Sequence, residues 1–130
     1  MTAFTPGTTL FIPSGLEGEH LFVVVLGPKV LPGYLSCDQF LLVPICSAVP
    51  GIIHECPVAV GSHPFIIHDS YADFAHAEIK SLAELERYVG NLFRLHESMM
   101  DGQMLQTIIK ALPDSKRLRR FVKKDFLGIP

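Results

Sequence analysis

Glycine and proline turns divide the first 79 residues into short runs that are rich in β-forming side chains. Pro6-Gly7, Gly27-Pro28 and Pro50-Gly51 mark three of these turns, because such pairs favour the backbone angles that turns need. The runs between the turns predict strands over residues 8–12, 20–26, 40–47, 56–60 and 71–76. Short strands at this spacing are typical of a small antiparallel barrel or sandwich.

Two details of these strands carry further predictions. Pro44 lies inside the third strand and cannot donate a ladder hydrogen bond, which favours a position at the sheet edge or a bulge. The alternation in the last strand predicts that Tyr71 and Asp73 share one face while Phe74 and His76 share the other.

Beyond residue 80 the pattern becomes helical. Ser81 is a predicted N-cap and Glu84 completes a capping box, at the start of a helix whose apolar residues recur as far as Leu92. Further helices are predicted over residues 103–112, ending before a proline, and over residues 116–126. We therefore predict a single domain, mainly β (α+β) in class, with a barrel over about residues 5–80 and two or three helices over about residues 81–127.

Composition narrows the class of protein. Hydrophobic residues make up 48% of the chain and charged residues 18%, which is too apolar for a disordered chain and suggests a surface covered by a partner. The three cysteines form no CxxC pair, and the start of the chain lacks the pattern of a signal peptide. The longest apolar runs, residues 21–26 and 40–45, are far shorter than the ~20 residues of a membrane span. We expect a cytoplasmic protein that does not enter the membrane.

The segment from His63 to Ile79 concentrates side chains that can move protons. It holds three of the six histidines and two aspartates, at predicted strand ends and in loops, where functional groups tend to lie. The candidate acid–base residues here and on the preceding strands are His20, Ser47, His63, His68, Asp69, Ser70, Tyr71 and Asp73. RNA cleavage needs only a base, an acid and a cation for the phosphate, so no metal or other cofactor is expected. The alternative is that Asp69-Ser70 is a simple turn and Asp73 a solvated strand residue.

Two weaker sites are built on cysteine. His54, Cys56 and His63 could bind zinc, although the usual ligand spacing is missing and these histidines could equally be satisfied by backbone carbonyls. Cys46 could act as a nucleophile that a histidine activates, or be an inert small hydrophobe at the end of a buried strand.

The C-terminal segment is basic. Its cations surround an aromatic residue, Phe121, and this combination suits a surface that follows a nucleic-acid backbone. The predicted RNA-binding residues are Lys116, Arg117, Arg119, Arg120 and Lys123. The alternative is the solvated face of an amphipathic terminal helix.

Local patterns in the first 90 residues resemble those of the MazF/PemK-like plasmid-maintenance toxins. A glycine loop, Gly15 to Gly18, precedes the run His20-Leu21-Phe22-Val23-Val24-Val25, and the next strand ends in Val43-Pro44-Ile45-Cys46-Ser47. Residues 56–60 and the polar segment that follows then lead to the helix after Ser81. The segment 63–79 looks still more like uncharacterised phage and bacterial proteins that contain a His-Pro-Phe segment.

The resemblance implies an SH3-like barrel, commonly a homodimer, that cleaves single-stranded RNA and is neutralised by an antitoxin peptide. The family's phosphate-binding arginine falls at His20, and its strand-end threonine falls at Cys46 with Ser47 beside it. In the implied mechanism His20 holds the phosphate, His63 or His68 serves as acid or base, and Asp73 orients that histidine. The family's Asp-Gln-x-Arg segment is replaced by residues 71–74, so the alternative is a non-catalytic protein-interaction module of phage or plasmid origin.

Overall fold

The computed structural model describes residues 4–13, 18–31, 33–34 and 37–129. Within these ranges the chain forms one seven-stranded sheet whose strand pairs are all antiparallel. The strands are β1 (Thr9–Pro13), β2 (Glu19–Lys29), β3 (Gln39–Ser47), β4 (Pro57–Val58), β5 (Ser70–Ala72), β6 (Glu78–Ser81) and β7 (Arg94–Leu95). Their order across the sheet is β4-β5-β3-β2-β1-β7, with β6 paired to β3 beside β5.

The sheet is open. Its outer strands, β4 and β7, are two residues long and are not paired with each other in the described ranges, so those strands do not close into the predicted barrel. The predicted mixture of antiparallel strands and C-terminal helices is confirmed. The glycine loop that begins at Gly15 lies outside the described residues.

β3 is the centre of the sheet, so the edge position predicted from Pro44 is wrong. β2 pairs along one side of β3, while β6 and β5 share the other side, opposite residues 39–42 and 45–47 respectively. Pro44 falls between these two pairings, where a missing donor costs least. Its carbonyl accepts a hydrogen bond from the backbone N–H of Asp73 at 2.9 Å, which ties the chain after β5 to the middle of β3.

Three helices accompany the sheet: α1 (Leu82–Tyr88), α2 (Gly102–Ala111) and α3 (Arg120–Leu127). The predicted cap of α1 is confirmed, since the Ser81 hydroxyl accepts a hydrogen bond from the backbone N–H of Glu84 at 3.0 Å. α1 is shorter than predicted, because the chain turns at Gly90 (φ +96°) and returns as β7, which the sequence does not reveal. Within the described ranges no helix is long and apolar enough to cross a membrane.

α3 begins later than predicted, at Arg120 instead of Lys116. The Ser115 hydroxyl accepts hydrogen bonds from the backbone N–H groups of Arg117 and Leu118 at 3.1 and 3.0 Å, but the extended backbone of Arg119 (φ −61°, ψ 143°) keeps this bend from continuing into the helix. These bonds fold the basic segment into a turn, so its first cations are carried by a turn and not by a helix face.

The alternating side chains of β3 enter two separate hydrophobic cores. Leu41, Val43 and Ile45 belong to the larger core, to which α2 and α3 contribute. Phe40 and Leu42 belong to the smaller core, to which α1 contributes. We call these two sides of the sheet the α2/α3 face and the α1 face. The residues at the end of β3 are therefore divided between opposite sides of the molecule.

Gly27→Ala is expected to lower the free energy of unfolding by about 2–3 kcal/mol. Gly27 has φ +123°, and a Cβ there would lie 2.8 Å from the Gln39 carbonyl oxygen and 2.7 Å from the Phe40 ring. Gly51→Ala is the matched control, since Gly51 has φ +83° but no described atom within 4 Å of its would-be Cβ, and it should cost about 1 kcal/mol. Urea denaturation measures both, and equal losses would contradict the packing explanation.

Candidate functional site

A carboxylate–histidine pair lies directly after β5. The chain forms a short 3-10 turn over Phe74–His76, and this turn places the His76 Nδ1 atom 2.6 Å from the Asp73 Oδ2 atom. A carboxylate oxygen only accepts, so Nδ1 donates and Nε2 is left as the acceptor of the ring. The Asp73 side chain is 9% exposed and that of His76 is 74% exposed. A buried carboxylate therefore orients an accessible imidazole, which is the arrangement of a general base.

Arg117 approaches the same carboxylate from the basic segment. Its guanidinium lies 3.7 Å from the Asp73 Oδ1 atom, which is buried and makes no hydrogen bond to any described residue. Glu55 holds the basic segment in place, because its carboxylate accepts hydrogen bonds from the Ser115 hydroxyl and, at 3.1 Å, from the backbone N–H of Lys116. An exposed cation is thus fixed beside the Asp73–His76 pair.

Tyr71 forms the floor of a cleft next to this pair. The His54 ring stacks on Tyr71 with 3.7 Å between ring centroids and 6° between planes. Burial raises the pKa of the Tyr71 phenol, and the neighbouring Cys46 and Asp73 raise it further, against an opposing effect of Arg117. The phenol therefore stays protonated and can donate. This Tyr71 cleft has a volume of about 210 Å³ and is lined by Ile53, His54, Glu55, Tyr71, Ala72, Asp73 and Arg117.

A second cleft of about 390 Å³ lies on the other side of His76. It is lined by Phe22, Tyr34, His76, Glu78, Ile79, Arg119 and Phe121, and we call it the Phe121 cleft. Arg119 lies over the Phe121 ring at 5.0 Å and donates a hydrogen bond to the Ala77 carbonyl. Tyr34 is anchored by a 3.3 Å hydrogen bond to Asp125. His76 lines the Phe121 cleft and Asp73 lines the Tyr71 cleft, so the hydrogen-bonded pair connects the two clefts.

Three of the predicted site residues come together near the Tyr71 cleft. Cys46 pairs with Tyr71 across β3 and β5, and Asp73 lines the cleft itself. Leu21 pairs with Ile45, so the preceding residue, His20, lies next to Cys46 and on the same face. The Nδ1 atom of His20 is buried and has no hydrogen-bond partner among the described residues.

Ser47 and His68 lie elsewhere. Ser47 follows Cys46 in β3 and therefore points to the opposite face of the sheet. Together with His68 it lines a cleft of about 420 Å³ whose other lining residues are Ile45, Pro64, Phe65, Ile66, Ile67 and Ser70. We call this the apolar cleft. The predicted catalytic set is thus divided between two faces.

His63 is in the interior, where both of its ring nitrogens are engaged. Nδ1 accepts from the backbone N–H of Phe65 at 3.1 Å, so Nε2 carries the proton and contacts the Thr9 hydroxyl at 2.9 Å and the Ser98 carbonyl at 3.2 Å. The residue is 1% exposed. This position fits a structural histidine that joins β1 to the loop before α2.

The zinc alternative finds no support in the described residues, among which no three His, Cys, Asp or Glu side chains form a metal-binding group. Cys56 is buried in the larger core, where burial raises the pKa of its thiol to about 11. A protonated thiol is a poor zinc ligand.

Two of the predicted RNA-binding residues line the clefts, Arg117 the Tyr71 cleft and Arg119 the Phe121 cleft. Lys116, Arg117, Arg119 and Arg120 are exposed, and Lys123 is half-buried. The sequence did not single out His76 as a site residue, and it considered His54 only as a zinc ligand. The signal for His76 was its position three residues after Asp73, which becomes a contact only if the chain turns there.

A comparison with protein-family models, with curated proteins and with solved structures found no match. The resemblance to the plasmid-maintenance toxins therefore stays a prediction that rests on the local patterns quoted above.

Stability is expected to fall as the pH drops below about 6.5, because His63 then becomes protonated in the unfolded chain while the folded protein still holds it neutral. Burial lowers the pKa of His63, a hydrogen bond to Ser98 opposes this, and His96, whose ring lies 4.5 Å away, lowers it further. When the pKa of a histidine is lower in the folded protein than in the unfolded chain, its full contribution to the free energy of unfolding is present above the unfolded-state pKa. That contribution is lost as the pH falls towards the folded-state pKa. Urea denaturation between about pH 7.5 and about pH 5 measures this loss.

Two variants identify the residue responsible. His63→Gln keeps a donor for the Thr9 hydroxyl but cannot titrate, so its unfolding free energy should be lower at neutral pH and depend less on pH. His68→Gln changes an exposed histidine and should keep the wild-type slope. An unchanged slope in His63→Gln would show that another group controls the acid sensitivity.

Proposed function

We propose that this protein binds single-stranded RNA and cleaves it without a metal ion, at the Asp73–His76 pair. The observation that carries the proposal is the 2.6 Å contact that orients an exposed imidazole on a carboxylate whose other oxygen lies 3.7 Å from the Arg117 guanidinium. A buried carboxylate holds the histidine in one tautomer. In that tautomer Nε2 is unprotonated and can act as a base. This assigns to His76 the role that the sequence gave to His63 or His68.

The proposed reaction is transfer of the phosphoryl group to the neighbouring hydroxyl. His76 Nε2 takes the proton from the ribose 2′-OH, and that oxygen forms a bond to the adjacent phosphorus. The bond from phosphorus to the 5′-oxygen breaks, leaving a 2′,3′-cyclic phosphate and a 5′-hydroxyl. Arg117 stabilises the charge that develops on the phosphoryl oxygens. Tyr71, whose phenol stays protonated, supplies the proton to the departing oxygen.

The surroundings supply what a single strand needs to bind. Bases stack on aromatic faces without regard to sequence, and the stacked His54–Tyr71 pair in one cleft and Phe121 in the other supply aromatic rings. The exposed cations Lys116 and Arg120 belong to the same segment as Arg117 and Arg119, which line the two clefts, and can follow the phosphates. His20 and Cys46, which neighbour Tyr71, would complete the site from the side of β3.

The proposal includes the setting that the resemblance implies. The protein would be a toxin-like relative of the MazF/PemK proteins, its sheet an opened variant of their SH3-like barrel. It would act in the cytoplasm, be a homodimer, and be neutralised by an antitoxin. Buried, protonated Cys56 is consistent with a reducing compartment.

Incubation of the purified protein with a long single-stranded RNA in EDTA tests the reaction. We expect cleavage products that end in a cyclic phosphate, and a loss of about 10²–10³-fold in rate for Arg117→Gln. Lys110→Gln removes a charge from α2, away from both clefts, and is the matched control. Intact RNA at high protein excess would overturn the catalytic proposal.

The apolar cleft favours a second candidate function, a non-catalytic protein-interaction module. Phe65 is 53% exposed and Ile67 is 69% exposed at its rim, which is unusual for large apolar side chains. A partner protein such as an antitoxin, or a second copy of the chain, would bury them. Induction in bacteria separates the two functions, since a binder without activity should not arrest growth. Ile67→Asp should abolish association measured by light scattering if this cleft is the interface.

A further inference from the structure

We infer that the Phe121 cleft is a base-recognition pocket and that it selects guanine. This rests on the proposed function, because it assigns the base that lies beside His76 in the bound strand. The cleft volume of about 390 Å³ falls in the range of small-molecule sites, roughly 300–1,000 Å³, and is large enough for one purine. Its lining combines aromatic rings with one carboxylate and one guanidinium.

The aromatic part of the lining provides a place to stack. Phe121 is 45% exposed, and the Arg119 guanidinium lies over its ring, 5.0 Å from the centroid, so a base can stack on the guanidinium plane or on the exposed part of the ring. Tyr34 contributes a second ring, fixed by its bond to Asp125. Unpaired bases in RNA complexes stack on aromatic rings and on arginine planes.

The carboxylate decides which base fits. Glu78 lines the cleft and is held from behind by Lys80, whose Nζ atom lies 3.0 Å from its Oε1 atom. Burial alone would lower the pKa of Lys80, but hydrogen bonds and charges of Glu78 and Glu84 outweigh it, and the pKa is raised. Lys80 is therefore charged and fixes the Glu78 carboxylate in place. A carboxylate accepts hydrogen bonds and repels phosphate, and the Arg119 guanidinium in the same lining is engaged by the Phe121 ring and the Ala77 carbonyl, so this cleft favours a base over a backbone group.

Guanine is the base whose edge matches a carboxylate. Its N1–H and N2–H groups point in the same direction and can donate to the two oxygens together. Uracil offers one donor between two carbonyls, and adenine and cytosine each offer one amino group beside an acceptor nitrogen. A bidentate pair to the right base gives roughly a tenfold or greater preference. His76 lines the Phe121 cleft, and Asp73, to which it is hydrogen-bonded, lines the Tyr71 cleft, so the guanine would lie next to the bond that is cleaved.

Titration with the four ribonucleoside 5′-monophosphates, followed by amide chemical shifts, tests this inference. We expect guanosine monophosphate to bind at least about tenfold more tightly than the uridine compound, with shifts at Glu78 and Phe121. Glu78→Gln replaces one acceptor by a donor and should bring the four affinities within about threefold of each other. Glu86→Gln is the matched control, because Glu86 is exposed on α1 and lines neither cleft. Phe121→Leu should weaken all four nucleotides without changing their order.

The outcomes separate this inference from the proposed function. Equal affinities, no binding, or a preference that survives Glu78→Gln would overturn guanine selection, even if RNA is still cleaved. Guanosine monophosphate binding that depends on Glu78, together with intact RNA, would support the pocket and overturn the nuclease. Thermal melting confirms that each variant is folded, and the selectivity of the wild-type protein tests the inference without any variant.

Discussion

If the proposed nuclease activity is present, His76→Ala is expected to lower the rate of RNA cleavage by about 10²–10⁴-fold, which is the usual contribution of a positioned acid or base. The expected effect on the unfolding free energy is below about 0.5 kcal/mol, because the His76 side chain is 74% exposed. Single-turnover cleavage of an end-labelled RNA in EDTA measures the first quantity, and urea denaturation the second. Asp73→Asn should give a loss of similar order, since the amide no longer favours the tautomer with Nε2 unprotonated.

A second variant, His68→Ala, shows on which face of the sheet the catalytic centre lies. His68 lines the apolar cleft with Ser47, and in the resemblance to the toxins it is a candidate acid or base. If His76 is the base, His68→Ala should cleave RNA at nearly the wild-type rate. A large loss in His68→Ala with full activity in His76→Ala would move the catalytic centre to the apolar cleft.

The Asp73–His76 pair shows why the site was only partly predictable. Alternation of apolar and polar residues predicted an extended chain from Tyr71 to His76, which would send Asp73 and His76 to opposite faces. The strand ends at Ala72, and the 3-10 turn over Phe74–His76 makes residues three apart neighbours. Burial of Phe74 in the larger core accompanies this turn, and such a tertiary contact leaves no periodic signal in a short segment.

Other features were readable because their causes are local. The Ser81 cap, the second helix and the run of short strands follow from turn residues, capping and periodicity, and each is confirmed. The position of β3 was not readable, because a proline rules out one donor but says nothing about where the neighbouring strands begin and end. The separation of Cys46 from Ser47 follows from the pleat once the strand is known. The sequence did not predict which face of the sheet lies beside the basic C-terminal segment.

Phe74→Ala is expected to lower the free energy of unfolding by about 3–5 kcal/mol, the largest stability effect in this part of the molecule. Phe74 is 1% exposed and packs in the core that α2 and α3 complete, so truncation leaves a cavity as well as losing apolar burial. Phe121→Ala is the matched control. It removes the same atoms from a side chain that is 45% exposed, and it should cost about 1 kcal/mol or less.

Phe74→Ala should also affect the Asp73–His76 pair. Phe74 lies between Asp73 and His76, and its carbonyl accepts the Ala77 N–H at 3.2 Å to close the turn. Without the ring the turn loses its anchor, so the imidazole should no longer be held against the carboxylate. Phe74→Leu retains most of the apolar volume and should recover part of both the stability and the cleavage rate. A Phe74→Ala protein that unfolds at the wild-type urea concentration would contradict the burial of this side chain, and one that is destabilised yet fully active would separate the turn from catalysis.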